Sequence, residues 1–290
     1  MKIMETQNLR VITQVVGLNQ AVEGEGLIIS RPFPSRELSH LDPFLLFDHF
    51  GPITVAPGEA SGVPAHPHRG FETMTYMISG SMGHRDSAGN EGVLRDGDVQ
   101  WMNAGSGVIH AEMPDPEFKR TGGVQEGVQL WINVPAERRM SAPSYFDVRS
   151  ADIPTVNLPD GGTIKVIAGE AVGVSNRSRS FLNVGYLHIK LEPGSSYEHP
   201  VPASDAALVY VLNGSVEVNG ASIAKANTAT FEPGPGDIKV SASGPAEVLL
   251  LHGAPVGEPI ARYGPFVMNT TDEIRQAMDD YRAGKFGHLD

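Results

Sequence analysis

The chain has 290 residues, 40% of them apolar and 19% charged, with a mean hydropathy of −0.15; this is a core-forming globular composition, long enough for one large domain or two of about 140 residues each. Its formal charge of −12, from 34 acidic against 22 basic residues, repels phosphate backbones. The only basic residues to note are the pair Arg138-Arg139 and the scattered Arg177 and Arg179, so direct nucleic-acid binding is not expected. The absence of cysteine excludes disulfides, thiolate metal sites and cysteine nucleophiles; the start "MKIMETQNLRVITQVVG" has no apolar signal core and no run approaches 18 apolar residues, so a cytoplasmic protein without a membrane segment is expected.

Taken in chain order, short alternating runs bounded by Gly, Asn, Asp and Pro predict strands at "RVITQVV", "TMTYMI", "VQLWINV", "GTIKVIAG", "GYLHIKL", "ALVYVL", "SVEV", "DIKV" and "EVLLLH". Their regular spacing, with turn signals between them, predicts an all-β fold of antiparallel sandwiches or barrels. A helix is predicted at the end, in "NTTDEIRQAMDDYRAGKFG": Thr270 or Thr271 is the N-cap, Asp272 and Glu273 occupy the first turn, and Gly284 is the stop. Ile274, Met278 and Tyr281 form its expected docking stripe.

The two halves resemble each other weakly. "YMISGSM" from Tyr76 parallels "YVLNGSV" from Tyr210, with Gly80 matching Gly214, and "LRDGDVQWMNAG" from Leu94 parallels "IAKANTATFEPG" from Ile223. Two similar β-domains are expected, joined near the charged, Pro-containing "PAERRMSAPSYF".

Residues i and i+2 of a strand share a face. In "HPHRGFETMTYMISGSMGHRDSA", His66 and His68 therefore aim two imidazoles into one cavity, and Pro67 suits a strand start or edge. A second i, i+2 pair, His110 and Glu112, follows in "GSGVIHAEMP". Two strands giving one pair each would supply three imidazoles and one carboxylate. That set suits five- or six-coordinate Fe(II), Mn(II), Ni(II) or Cu(II), with positions left for water, O₂ or a chelating substrate. Glu72, four residues past His68, is the rival carboxylate ligand and otherwise supports the site from outside. His84 and Asp86 are expected to cap the hairpin turn. His40, His49, His188, His199, His252 and His288 are read as structural. Shifting the first pair by the repeat offset lands on Pro200 and Pro202, and shifting the second lands on Lys239 and Ser241. His199 then falls one position out of register, on the opposite face, and the second half is expected to hold no metal. There is no G-x-S-x-G elbow, no P-loop and no dinucleotide fingerprint.

The segments "LDPFLLFDHFGP", "HPHRGFETMTYMISGSMGHRDSAGN", "GDVQWMNAGSGVIHAEMP", "QLWINVP" and "GEPIARYGPFVMNT" run in order through most of the chain. In them the sequence resembles the pirin family, two-domain members of the cupin superfamily. The resemblance implies two cupin domains facing each other. Residues 1–140 would form an N-terminal domain holding the metal and 141–268 a C-terminal cupin-like domain without one; residues 269–290 would be a helix and tail that pack back on the first. It implies one divalent metal, usually ferrous iron, with Mn, Ni, Cu or Zn as alternatives. The ligands carried over are His66, His68, His110 and Glu112, with Glu72 outside the ligand set. It also implies quercetin 2,3-dioxygenase activity, with O₂ and a flavonol-like chelator as partners and Glu112 as the catalytic proton acceptor. Phe71, Trp101 and Gln129 are then expected to line the cavity. The competing reading is a metal-dependent regulatory protein acting through a protein partner.

Overall fold

A computed structural model describes residues 8–289. The chain divides into two compact units that do not follow the order of the sequence. One contains Asn19–Asp152, Arg179–Phe181 and the chain from Val256 onward; the other contains the chain up to Leu18, Ile153–Ser178 and Leu182–Pro255. The division near the middle thus falls after Asp152 rather than at residue 140, and the first described residues belong with the later half.

In the first unit a seven-stranded antiparallel sheet runs in the order Ser144–Val148, Val99–Asn103, Phe71–Ser79, Gly123–Asn133, Phe44–Val55, Leu27–Phe33 and Gln20–Glu23. A four-stranded sheet, in the order Val63–His68, Val108–Met113, Met82–Asp86 and Glu91–Leu94, packs against it. Ile29, Phe50 and Met77 of the larger sheet meet Leu94 and Met82 of the smaller one. The sheets form a sandwich rather than a closed barrel. Short strands between turn residues can be laid side by side only in this way, because their apolar faces need a second layer.

The second unit repeats the plan. Its larger sheet runs Gln14–Val16, Thr228–Phe231, Ala206–Asn213, Ala246–Gly253, Val184–Leu191, Gly162–Ala171 and Thr155–Asn157, with Val174–Asn176 also on Gly162–Ala171. Ser196–His199, Ile238–Ser241, Ser215–Val218 and Ala221–Ala224 form the smaller sheet. Leu187, Val209, Phe231, Ile238, Val240 and Leu250 belong to its aliphatic core. Gly80 and Gly214, matched in sequence, both adopt positive φ, +92° and +75°, and a Cβ there would lie 2.7 and 2.5 Å from a backbone carbonyl oxygen. The repeat is therefore built into the turns as well as the strands.

The outermost strand beside Val99–Asn103 is Ser144–Val148; the outermost strand beside its counterpart Thr228–Phe231 is Gln14–Val16. Each thus comes from the segment that leads, in chain order, toward the other unit. "RVITQVV" is a strand only over Gln14–Val16.

The C-terminal helix spans Thr271–Arg282, with Thr270 as N-cap and a capping box closed by Glu273. Of the expected stripe, Ile274 is buried, Met278 packs on the same cluster, and Tyr281, 40% exposed, lays its ring 5.7 Å from that of Phe286; Ala277 and Asp280 widen the buried face. Asp280 is drawn inward by Arg69, whose guanidinium it meets at 2.8 Å. Ile274 and Ala277 pack on Phe266, Met268 and Phe286. None of the described helices is long and apolar enough to cross a membrane.

Candidate metal centre

Val63–His68 is the edge strand of the smaller sheet, where Pro67 forfeits no ladder bond that the fold requires. It pairs with Val108–Met113 so that His66 stands directly opposite His110 and His68 opposite Val108. The three imidazoles converge: ring centroids lie 4.2 Å apart for His66 and His110, 4.7 Å for His66 and His68, and 4.8 Å for His68 and His110. One nitrogen from each can be chosen so that all three lie within 4.8 Å of one another. A bulge follows immediately, with the register slipping between His110 and Glu112. The Glu112 carboxylate stands 3.4 Å from the Thr75 hydroxyl and 3.5 Å from the Gln129 amide nitrogen, and Thr75 and Gln129 hydrogen-bond each other.

The tautomers of the histidines can be deduced from their neighbours. The Nδ1 of His66 lies 2.8 Å from the Pro64 carbonyl and that of His68 lies 3.3 Å from the Pro265 carbonyl. A carbonyl only accepts, so both Nδ1 atoms carry the proton. The two Nε2 atoms then face each other 3.1 Å apart with lone pairs and no proton between them. Protonating one would relieve the clash, but burial, then the adjacent His66, push the pKa of His68 well below the ordinary imidazole value. His110 is pushed down in the same way, by burial first and then by His68, His66 and His84, and both its nitrogens are buried without a hydrogen-bond partner. Three imidazoles whose ring nitrogens converge in this way suit a divalent metal. Each ligand orientation is already fixed from outside for His66 and His68.

The site opens on a cavity of about 530 Å³, whose lining includes His66, His68, Glu112, Gln129 and Trp131. Of the three residues expected to line it, Gln129 does. Phe71 is fully buried beneath the wall, 5.0 Å from the His68 ring and stacked on Trp131, and Trp101 lies in the core. The indole at the cavity is Trp131. It lies two residues past Gln129 on the same strand face, so the alternation that placed Gln129 already contained the signal for Trp131.

Glu72 is buried and turned away from this cavity, accepting from the Ser180 hydroxyl and the Phe181 N–H; burial raises its pKa to about 7. Asp86 does cap its turn, accepting from the backbone N–H of Ala88 and Asn90. His84 does not: it is buried in the strand Met82–Asp86, opposite Glu112, with its ring 5.3 Å from His110 and 4.8 Å from Tyr145. His188 and His252, read as structural, are held by Glu247 at 3.2 Å and Asp205 at 2.7 Å. These partners come from other strands or loops, beyond the reach of local spacing.

The second unit corrects the repeat register. Val218 pairs with Val240 as His84 pairs with Glu112, and His199 pairs with Ile238 as His66 pairs with His110. His199 therefore occupies the place of His66, facing inward, because the stretch from it to Gly214 is one residue longer than the stretch from His66 to Gly80. The places of His68, His110 and Glu112 are taken by Val201, Ile238 and Val240, all in the aliphatic core and without donor atoms.

A double sandwich with converging histidines on the smaller sheet of one half defines a cupin-type protein capable of binding a metal. Its sequence specifies the group further: residues 26–132 match the pirin family model and residues 186–287 that of the pirin C-terminal cupin domain. The chain belongs to the pirin family. It is 39% identical over 286 residues to a pirin-like protein of Solanum lycopersicum, covering 96% of this chain and 93% of that one. A Pseudomonas aeruginosa protein whose name proposes it as a quercetin 2,3-dioxygenase is 37% identical over 91% of this chain and 93% of its own length. A crystal structure of quercetin 2,3-dioxygenase from Acinetobacter baumannii superposes with a TM-score of 0.91 at 37% identity, covering 97% of this chain and all of that one.

Proposed function

We propose that this chain is a metal-dependent dioxygenase that cleaves a flavonol such as quercetin, with His66, His68, His110 and Glu112 holding one ferrous ion. The observation that carries the reading is the pair of facing, proton-free Nε2 atoms on His66 and His68 at a cavity large enough for a three-ring ligand. When bound, the metal would supply Lewis acidity and open positions for O₂ and for the substrate's chelating oxygen. The remaining work falls to side chains. Glu112 accepts the 3-hydroxyl proton, turning the flavonol into the electron-rich enolate that O₂ attacks. Gln129 and Thr75 hold its carboxylate in place, and Trp131 gives the aromatic rings a flat wall. Both oxygen atoms enter the product, and the ring opens to a depside with loss of carbon monoxide. Iron-loaded protein should consume O₂ and release carbon monoxide with quercetin. A rate no higher in the wild type than in His66→Ala would refute the reading. Glu112→Gln separates the roles, since retained metal with lost turnover marks the carboxylate as the proton acceptor.

A regulatory role through a protein partner draws support from one feature. Val22 and Ile28 are paired on the outer hairpin and are 67% and 60% exposed. Metal-dependent capture of a partner, abolished by Val22→Glu but not by Glu112→Gln, would favour it.

A further inference from the structure

The cavity lining also includes the charged residues Glu23, Arg31, Asp48 and Arg262. These four charges are not equivalent. Arg31 donates to both oxygens of Asp48 and to Glu23, so one guanidinium engages both carboxylates. Arg262 joins none of these ion pairs. Its guanidinium donates to the Leu45 carbonyl at 3.0 Å and lies over the Trp131 ring, 4.8 Å from the centroid. Of the five N–H groups a guanidinium carries, the Leu45 bond uses one.

The placement of Arg262 is tied to the metal centre. It sits on the strand Ala261–Tyr263, which pairs with Phe266–Met268, and the turn between them supplies the Pro265 carbonyl that orients His68. Trp131 bridges Arg262 and His68. Its ring centroid is 5.1 Å from that of His68 and 4.8 Å from the Arg262 guanidinium carbon, which puts the guanidinium no more than about 10 Å from the imidazole. An aromatic ligand chelated at the histidines and extending past Trp131 would come within reach of the guanidinium edge. The cluster is electrically close to balanced, because Asp48 and Glu23 offset the two arginines. Recognition would come from the directed N–H edge and only weakly from a long-range field.

Resting on the dioxygenase reading above, we infer that Arg262 forms a subsite for an anionic group, so that the preferred substrates are chelating aromatic enols carrying an acidic substituent on the ring remote from the metal. Arg262 is here a specificity residue, not a catalytic one.

The test uses metal-loaded full-length protein and two probes that differ only in that substituent, quercetin and its 5′-sulfonate. Their dissociation constants are read from the absorption shift on binding without O₂. The wild type should favour the sulfonate, and Arg262→Met should weaken sulfonate binding by about tenfold, the loss of one partly exposed charge-assisted contact. It should change quercetin binding by less than about threefold. Arg262→Lys keeps the charge without the fork and should retain part of the preference; it also serves if the methionine variant fails to fold. Equal weakening of both probes, or no preference in the wild type, overturns the inference. Discrimination without O₂ uptake would uphold the subsite while sinking the dioxygenase reading, and turnover without discrimination would do the reverse. If neither probe binds, both fall.

Discussion

The Asp280 carboxylate ties the C-terminal helix to Arg69, beside the candidate ligand His68, and its removal should unfold this unit measurably sooner. Arg69, the residue after His68, has a side chain only 4% exposed. It donates to Asp280 at 2.8 Å and to the Ser106 carbonyl at 2.8 Å, and its guanidinium lies 4.6 Å from the Phe286 ring centroid. Asp280 also accepts from Gln276 and Lys285 at 2.9 and 2.7 Å. Asp280→Ala leaves a buried guanidinium without its counter-charge, a change that costs about 3–5 kcal/mol in a dry interior. The Asp280 side chain is 11% exposed, so water partly replaces it, and a loss of about 2–3 kcal/mol is expected, or roughly 5–10 °C for a unit of this size. Both tryptophans of the chain, Trp101 and Trp131, lie in this unit, so fluorescence-monitored urea unfolding reads it selectively. The double variant Arg69→Met, Asp280→Leu removes both charges and should recover at least half the loss. An Asp280→Ala midpoint within about 0.5 kcal/mol of the wild type, or no recovery in the double variant, would refute the reasoning.

His110→Ala should reduce bound metal, measured by elemental analysis after loading, to under about a tenth of the wild-type content, whereas His199→Ala should leave it unchanged. Glu72 should make stability fall as pH rises. Its carboxyl titrates at about 7 in the fold and at about 4.3 in the unfolded chain, so between these values the native state binds the extra proton. The unit should lose on the order of 3–4 kcal/mol across that window. Glu72→Gln should flatten the profile, and a wild-type curve that rises there would count against the assignment. Gly80→Ala and Gly214→Ala should each cost about 2 kcal/mol or more, from left-handed strain and the carbonyl clash. Only the first should shift the tryptophan transition.

What could be read ahead of the structure is what strand periodicity carries. The i, i+2 spacing put His66 with His68 and His110 with Glu112 on single faces, and the helix start at Thr270 was written in its capping residues. Glu112, however, contacts Thr75 and Gln129 beside the group of three histidines. Register is set between strands, not along them. One extra residue between His199 and Gly214 turned it from the expected outer face to the inner one, since a single-residue slip inverts every side chain. His84 looked like a turn residue because the hairpin is tight, yet its strand runs through Asp86. Asp280 joined the docking face because Arg69, more than two hundred residues earlier, supplies a buried counter-charge. Arg262 had no local signal at all: its meaning comes from Trp131 and from two carboxylates already claimed by Arg31.

The crossing of the two outermost strands restricts how this chain can be cut. A fragment taken from the start to the middle of the sequence would carry Gln14–Val16 without the strand it pairs with, and a fragment holding the second half would leave Thr228–Phe231 with a bare hydrogen-bonding edge. Neither piece is a self-sufficient module, even though each contains a full repeat. The later half cannot be removed without stranding Gln14–Val16, which gives a half that keeps only His199 of the four candidate ligand places a structural reason to persist.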